Sequence, residues 1–77
     1  MSISSTILAM SAQRGNDKTI CPSEVARKLW PDDWRVHMDE VRKIAIELRD
    51  QGKVAITQKG EEVSGNEFVG PIRIRIL

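Results

Sequence analysis

A chain of 77 residues with 40% hydrophobic content is one small folding unit, too short for a two-domain enzyme and too apolar for a disordered segment. A chain of this size buries only about 60% of its unfolded surface, so its core is small. Twelve Lys and Arg against eleven Asp and Glu leave a formal charge of +1, which argues against a polycation that binds nucleic acid by bulk charge.

The first predicted element is a helix over 3–14, with Ile3, Ile7, Leu8, Met10 and Ala12 spaced to form one stripe. Ser4 or Ser5 is its expected cap, and Arg14-Gly15 its stop. After the Gly15-Asn16-Asp17 loop, 19–20 reads as a minimal strand. Cys21-Pro22-Ser23-Glu24 starts a second helix over 22–30, because proline is tolerated at the first helical position and a carboxylate suits the first turn. Val25, Ala26, Leu29 and Trp30 share one face of it, and Pro31 ends it. A third helix is predicted over 33–51, capped from Asp32-Asp33 and closed by Gly52. At 100° per residue Trp34, Met38, Val41, Ala45 and Leu48 fall within about 80° of arc, a buried stripe with His37 and Ile44 on its shoulder. The period then changes. Strands are predicted over 53–58 and 71–76, the second alternating Ile72-Arg73-Ile74-Arg75-Ile76, with a loop over 59–70 between them.

Three helices followed by a small antiparallel hairpin make an α+β chain with the layout of a winged helix-turn-helix: a single domain over 1–77 with two or three strands. The Pro31-Asp32-Asp33 break supplies the turn, 59–70 the wing, and Thr19-Ile20 the minor third strand. A bare three-helix bundle with a frayed tail gives no reason for the strict Ile-Arg alternation.

The stretch Lys18-Thr19-Ile20-Cys21-Pro22-Ser23-Glu24-Val25-Ala26-Arg27 resembles the signature of a small bacterial winged-helix family known only as a domain of unknown function. Trp34-Arg35, Met38, Glu40-Val41-Arg42, Gly52-Lys53-Val54, Thr57-Gln58-Lys59-Gly60 and Gly70-Pro71-Ile72-Arg73 follow in the same order, so the resemblance runs from about Ile7 to Ile76. It implies the fold, and it carries no substrate, partner or binding residues with it. Trp30 and the Glu61-Glu62 pair depart from the pattern.

The residues offer little for catalysis. One Cys excludes an internal disulfide, and Cys21 with His37 falls short of a four-ligand zinc site. The carboxylate pairs Asp32-Asp33, Asp39-Glu40 and Glu61-Glu62 are placed for solvent, and Gly60, Gly65 and Gly70 are spaced for turns rather than for cradling a phosphate. The expectation is a protein that is not an enzyme and has no metal or cofactor. Trp30 and Trp34 flank the turn; sealing the junction of helices two and three outweighs a role as base-stacking platforms.

The leading functional reading is a DNA-binding or transcription-regulator module. Its candidate contacts are Arg35, Arg42 and Lys43 on helix three with Lys59, Arg73 and Arg75 on the hairpin; Arg27 and Lys28 are expected nearby. Against it, helix three carries Asp39, Glu40, Glu47 and Asp50 opposite Arg35, Arg42, Lys43 and Arg49, and the wing carries Glu61, Glu62 and Glu67. Arg73 and Arg75 also suit the plain task of solubilising an edge strand. The alternative is a protein–protein interaction module using the wing and helix three. There Val36, Ile46, Val63 and Phe68 would form an apolar patch, and the last strand an edge open to another chain or a second copy. A small-molecule sensor ranks third, since so small a domain has little interior for a pocket. No apolar run approaches the roughly 20 residues that span a bilayer, and the N-terminus lacks the basic stretch and apolar core of a secretory signal. A cytoplasmic protein without membrane contact is expected.

Overall fold

The computed structural model describes residues 2–77. Helix α1 spans Ile3–Arg14 and is capped by Ser2 rather than by Ser4 or Ser5. The Ser5 N–H donates to Ser2 Oγ at 3.0 Å and the Ser2 N–H donates to Ser5 Oγ at 3.2 Å, so two otherwise unpaired backbone donors are satisfied reciprocally. The buried face also differs from the expected stripe: Thr6, Ile7 and Ser11 are buried, Ile3, Leu8 and Met10 are half-buried, and Ala12 is exposed. Thr6 can enter the core because its hydroxyl donates to Ser2 O at 2.7 Å.

After a turn at Asn16-Asp17, the expected strand 19–20 reduces to a single bridge. Ile20 N–H donates to Ile74 O and Ile74 N–H to Ile20 O, both at 2.8 Å. Pro22, which has no N–H, begins helix α2 immediately beyond, so pairing stops at one residue. Helix α2 spans Pro22–Leu29 and is held at its start by Glu24, whose Oε2 accepts the Cys21 N–H at 2.7 Å. Pro31 stops it one residue earlier than expected, with Trp30 as a cap residue outside the helical region.

The third helix is not continuous from 33 to 51. Residues Trp34–His37 form a 3-10 turn, and helix α3 proper spans Met38–Asp50. The Asp33 side chain makes no capping bond here. The first turn closes instead through the tighter i→i+3 bond from Val36 N–H to Asp33 O. Val41, Ala45 and Leu48 are buried as the spacing predicts, whereas Trp34 and Met38 are half-buried. At the far end Gly52 has φ 76°, and Lys53 N–H donates to Leu48 O while Gly52 N–H donates to Arg49 O. This pair of bonds satisfies the last helical carbonyls and needs a left-handed residue at Gly52.

Strand β1 (Val54–Gln58) pairs antiparallel with β2 (Glu61–Glu62) and with β3 (Arg73–Ile76), giving the order β2-β1-β3. The third strand is therefore Glu61–Glu62, inside the segment read as loop. It forms because Lys59 (φ 52°) and Gly60 (φ 84°) reverse the chain in two residues, and a two-residue hairpin of this twist requires positive φ at both. The core joins Ile7, Ile20, Val25, Val41, Leu48, Val54, Ile56, Ile72 and Ile74 between the helices and one face of the sheet. Three helices over a small three-stranded antiparallel sheet are an α+β arrangement compatible with a winged helix.

Candidate functional site

The arginines divide into two groups according to what they hold. The chain from Val63 to Ile72 has no regular structure, and its carbonyls are free to accept from water or from side chains. Helix α3 supplies such side chains. Arg42 Nη2 donates to Gly70 O at 2.7 Å, and Arg49 donates through Nη1 to Gly65 O and through Nη2 to Asn66 Oδ1 at 2.8 Å. The loop is thereby laid along α3, and Ile46, Val63 and Phe68 pack half-buried against the core. They do not join Val36 in an apolar patch; Val36, 75% exposed, stands apart on the 3-10 turn.

The hairpin arginines are also engaged. Arg73 donates from Nε to Thr19 Oγ1 at 2.9 Å and from Nη2 to Thr19 O at 3.2 Å. Arg75 Nη1 donates to Asn16 O at 3.3 Å, and its Nη2 lies 3.6 Å from Glu62 Oε2. Instead of forming an open cationic strip, both tie β3 to the α1–α2 connection, and Arg75 reaches across the sheet to the acidic β2. Arg14 completes this corner with bonds to Thr19 O at 2.9 Å and Glu24 Oε1 at 2.7 Å. Partial burial pushes the Glu24 carboxyl up, but the Cys21 N–H, the Arg14 bond and the charges of Arg14 and Arg73 outweigh it and hold it below its ordinary range.

The second group lies at the junction of α2 and α3. The Arg27 guanidinium sits 4.3 Å from the Trp34 ring centroid and that of Arg35 sits 4.9 Å from it. Arg27 thus lies against the junction and not beside the hairpin. Trp30 stacks on His37 with centroids 3.6 Å apart and planes 10° from parallel, and His37 Nε2 lies 3.6 Å from Asp33 Oδ2. Both tryptophans pack half-buried against the core, so they seal the junction, while Trp34 also carries two cations. Lys28, Arg35, Lys43 and Lys59 are exposed.

Exposure also changes the charge that α3 presents. Its exposed residues are Asp39, Glu40, Lys43, Glu47 and Asp50, because Arg42 and Arg49 are half-buried under the loop. The balance along the helix becomes an acidic face with one lysine. Arg49 is the residue that sequence reasoning missed. Its position in the last helical turn explains a cation there through the helix dipole but carries no sign of a loop partner 16 residues away.

Cys21 Sγ accepts from Ser23 Oγ at 3.1 Å and lies in a different element from His37. Among the described residues no group of three or more His, Cys, Asp and Glu side chains could hold a metal ion, and no helix is long and apolar enough to cross a membrane. Open concavities mark the surface, among them a groove of about 410 Å³ between α3 and the loop, lined by Ile46 and Phe68, a hollow of about 430 Å³ beside Arg14 and Lys18, and one of about 650 Å³ where the loop returns to the sheet.

The chain belongs to the domain family described as protein of unknown function (DUF3253), which matches residues 1–77. Comparison with curated proteins finds no match.

Proposed function

We propose that this protein is a winged helix-turn-helix module that binds duplex DNA through the front of its helix-turn-helix, as a regulator-type module without enzymatic activity, in the cytoplasm. The observation that carries this reading is the pair of guanidiniums laid on Trp34. An arginine resting on an indole gives up less side-chain freedom when it meets a phosphate, and its N–H edge remains available. Arg27 and Arg35, with Lys28 and Lys43, are exposed cations on α2, on the 3-10 turn and on the first half of α3. In a helix-turn-helix these are the segments that meet the backbone and the groove. Asp39 and Glu40 in the first turn of α3, with Glu47 and Asp50 further on, repel phosphate, so the contact is centred on α2 and the 3-10 turn and takes only Lys43 from α3.

Four phosphate contacts give a slope of about −3.6 in log K against log salt, or roughly a 150-fold loss of affinity between about 50 and 200 mM salt. Titration of labelled random-sequence duplex at those two ionic strengths tests this. Salt-sensitive binding tighter than about 10 µM at low salt supports the reading, and no binding there sinks it. The acidic face of α3, beside the groove over Ile46 and Phe68, favours one second reading: a protein-interaction module for a basic partner, which is left standing if duplex is not bound.

A further inference from the structure

The hollow at the return of the loop combines cations with apolar side chains. It is lined by Gln58, Lys59, Val69, Gly70, Pro71 and Arg73, two cations with no carboxylate among them. Its volume of about 650 Å³ falls within the roughly 300–1,000 Å³ of small-molecule sites. The wall is held in place, since Gln58 Nε2 donates to Val69 O at 3.0 Å and to Pro71 O at 3.4 Å. Arg73 is oriented by its two bonds to Thr19, which use Nε and Nη2 and leave Nη1 without a partner among the described residues. Glu24 feels the Arg73 charge, but Arg14 is bonded to Glu24 and balances it.

Lys59 adds a separate observation. It is the one non-glycine residue with positive φ among the described residues, at 52°. This first position of a two-residue hairpin turn is one that Asn, Asp or Gly fills with less strain. A left-handed lysine carries backbone strain, and such strain recurs where a side chain is needed for function. Val69, which also lines the hollow, is 99% exposed, so its apolar side chain is free to lie against a bound molecule.

We propose that this hollow binds a small organic phosphate, with Lys59 and Arg73 taking the phosphate oxygens and Val69 and Pro71 lying against the organic part. A phosphate monoester carries about −1.5 to −2 charges at neutral pH, which two cations match, and guanidinium N–H groups suit its oxygens. The proposal is independent of the duplex reading, which rests on Arg27, Lys28, Arg35 and Lys43.

The test is a ¹H–¹⁵N titration of the whole protein with phenyl phosphate and, in parallel, with dimethyl phosphate, a diester like the nucleic-acid backbone. Phenyl phosphate is expected to shift the amides of Lys59, Gly60, Val69, Gly70 and Arg73 with a Kd on the order of 1 mM, and dimethyl phosphate to bind at least about tenfold more weakly. Lys59→Asn relieves the turn, so it is expected to keep or raise Tm while weakening phenyl phosphate about tenfold. No local shift up to about 20 mM, or shifts unaffected by Lys59→Asn in a folded protein, would overturn the site. Equal binding of the diester at the same amides would make the hollow a nucleic-acid backbone contact and overturn the small-ligand assignment.

Discussion

The junction of α2 with α3 and the loop side of α3 use the same residue type for opposite ends. Arg42 and Arg49 reach irregular backbone and satisfy carbonyls that no strand or helix pairs. Arg27 and Arg35 meet an indole face, which accepts no directional hydrogen bond and so leaves their donors unclaimed. The neighbouring acceptor therefore decides whether an arginine is a brace or a contact. Arg42 and Arg49 become braces because a guanidinium drawn partly out of water needs acceptors, and the carbonyls of the adjoining irregular loop supply them. Charge counted along the chain treats both groups alike.

The largest effect expected from this contrast is on duplex affinity. Replacing Arg27 and Arg35 together by Ala removes two of four contacts, halving the salt slope to about −1.8 and weakening low-salt binding on the order of 30-fold. Arg42→Ala should leave it within about twofold. Anisotropy titrations of both variants at two salt concentrations make the comparison; equal losses would erase the distinction between contacts and braces.

Next in size is the brace itself. Arg49→Ala strips the donors from Gly65 O and Asn66 Oδ1, and stability should fall by about 1.5 kcal/mol in urea unfolding. Amide exchange should quicken across Val63–Val69 ahead of the rest of the chain. A variant as stable as the parent, with exchange unchanged, would mean that the apolar seats of Val63 and Phe68 hold the loop without it.

The smallest effect belongs to the corner at Glu24. Its carboxyl lies below the ordinary value of 4.5 in the folded protein. A lowered folded value means that its contribution is fully present above the unfolded value and is lost as pH falls through the folded one. Glu24→Gln should therefore lower stability by less than about 1 kcal/mol at neutral pH, the pair with Arg14 being partly solvent-exposed. The gap between variant and parent should narrow in chemical denaturation as pH falls below 4.5 and through the lowered folded value. A gap that persists in acid would assign the effect to the neutral hydrogen bond with Cys21.

Much of the architecture was legible from local signals because the physics behind them is local. Pro22 and Glu24 mark the start of α2, Gly52 the end of α3, and the Ile72–Ile76 alternation a strand with one buried face. Each depends on neighbours a few residues away. The errors also have local causes. A carboxylate at Asp33 looks like a cap, but whether it caps depends on where the turn sends it, and here it faces His37. Strand β2 has no local signal, because Lys59-Gly60 lacks the Asn or Asp that usually announces a tight hairpin. Thr19-Ile20 reads as the third strand, but only Ile20 pairs.

By itself the sequence determined the α+β class, the three helices, the apolar stripe of α3 and the family, since periodicity, caps and turn residues act over one or two turns of chain. The tertiary structure alone decided which cations are engaged by the rest of the chain. Arg49 meets Gly65, Arg42 meets Gly70 and Arg73 meets Thr19, partners 16, 28 and 54 residues away. No local pattern encodes such pairs, because a long flexible side chain goes to whichever unpaired acceptor the folded backbone brings within its reach.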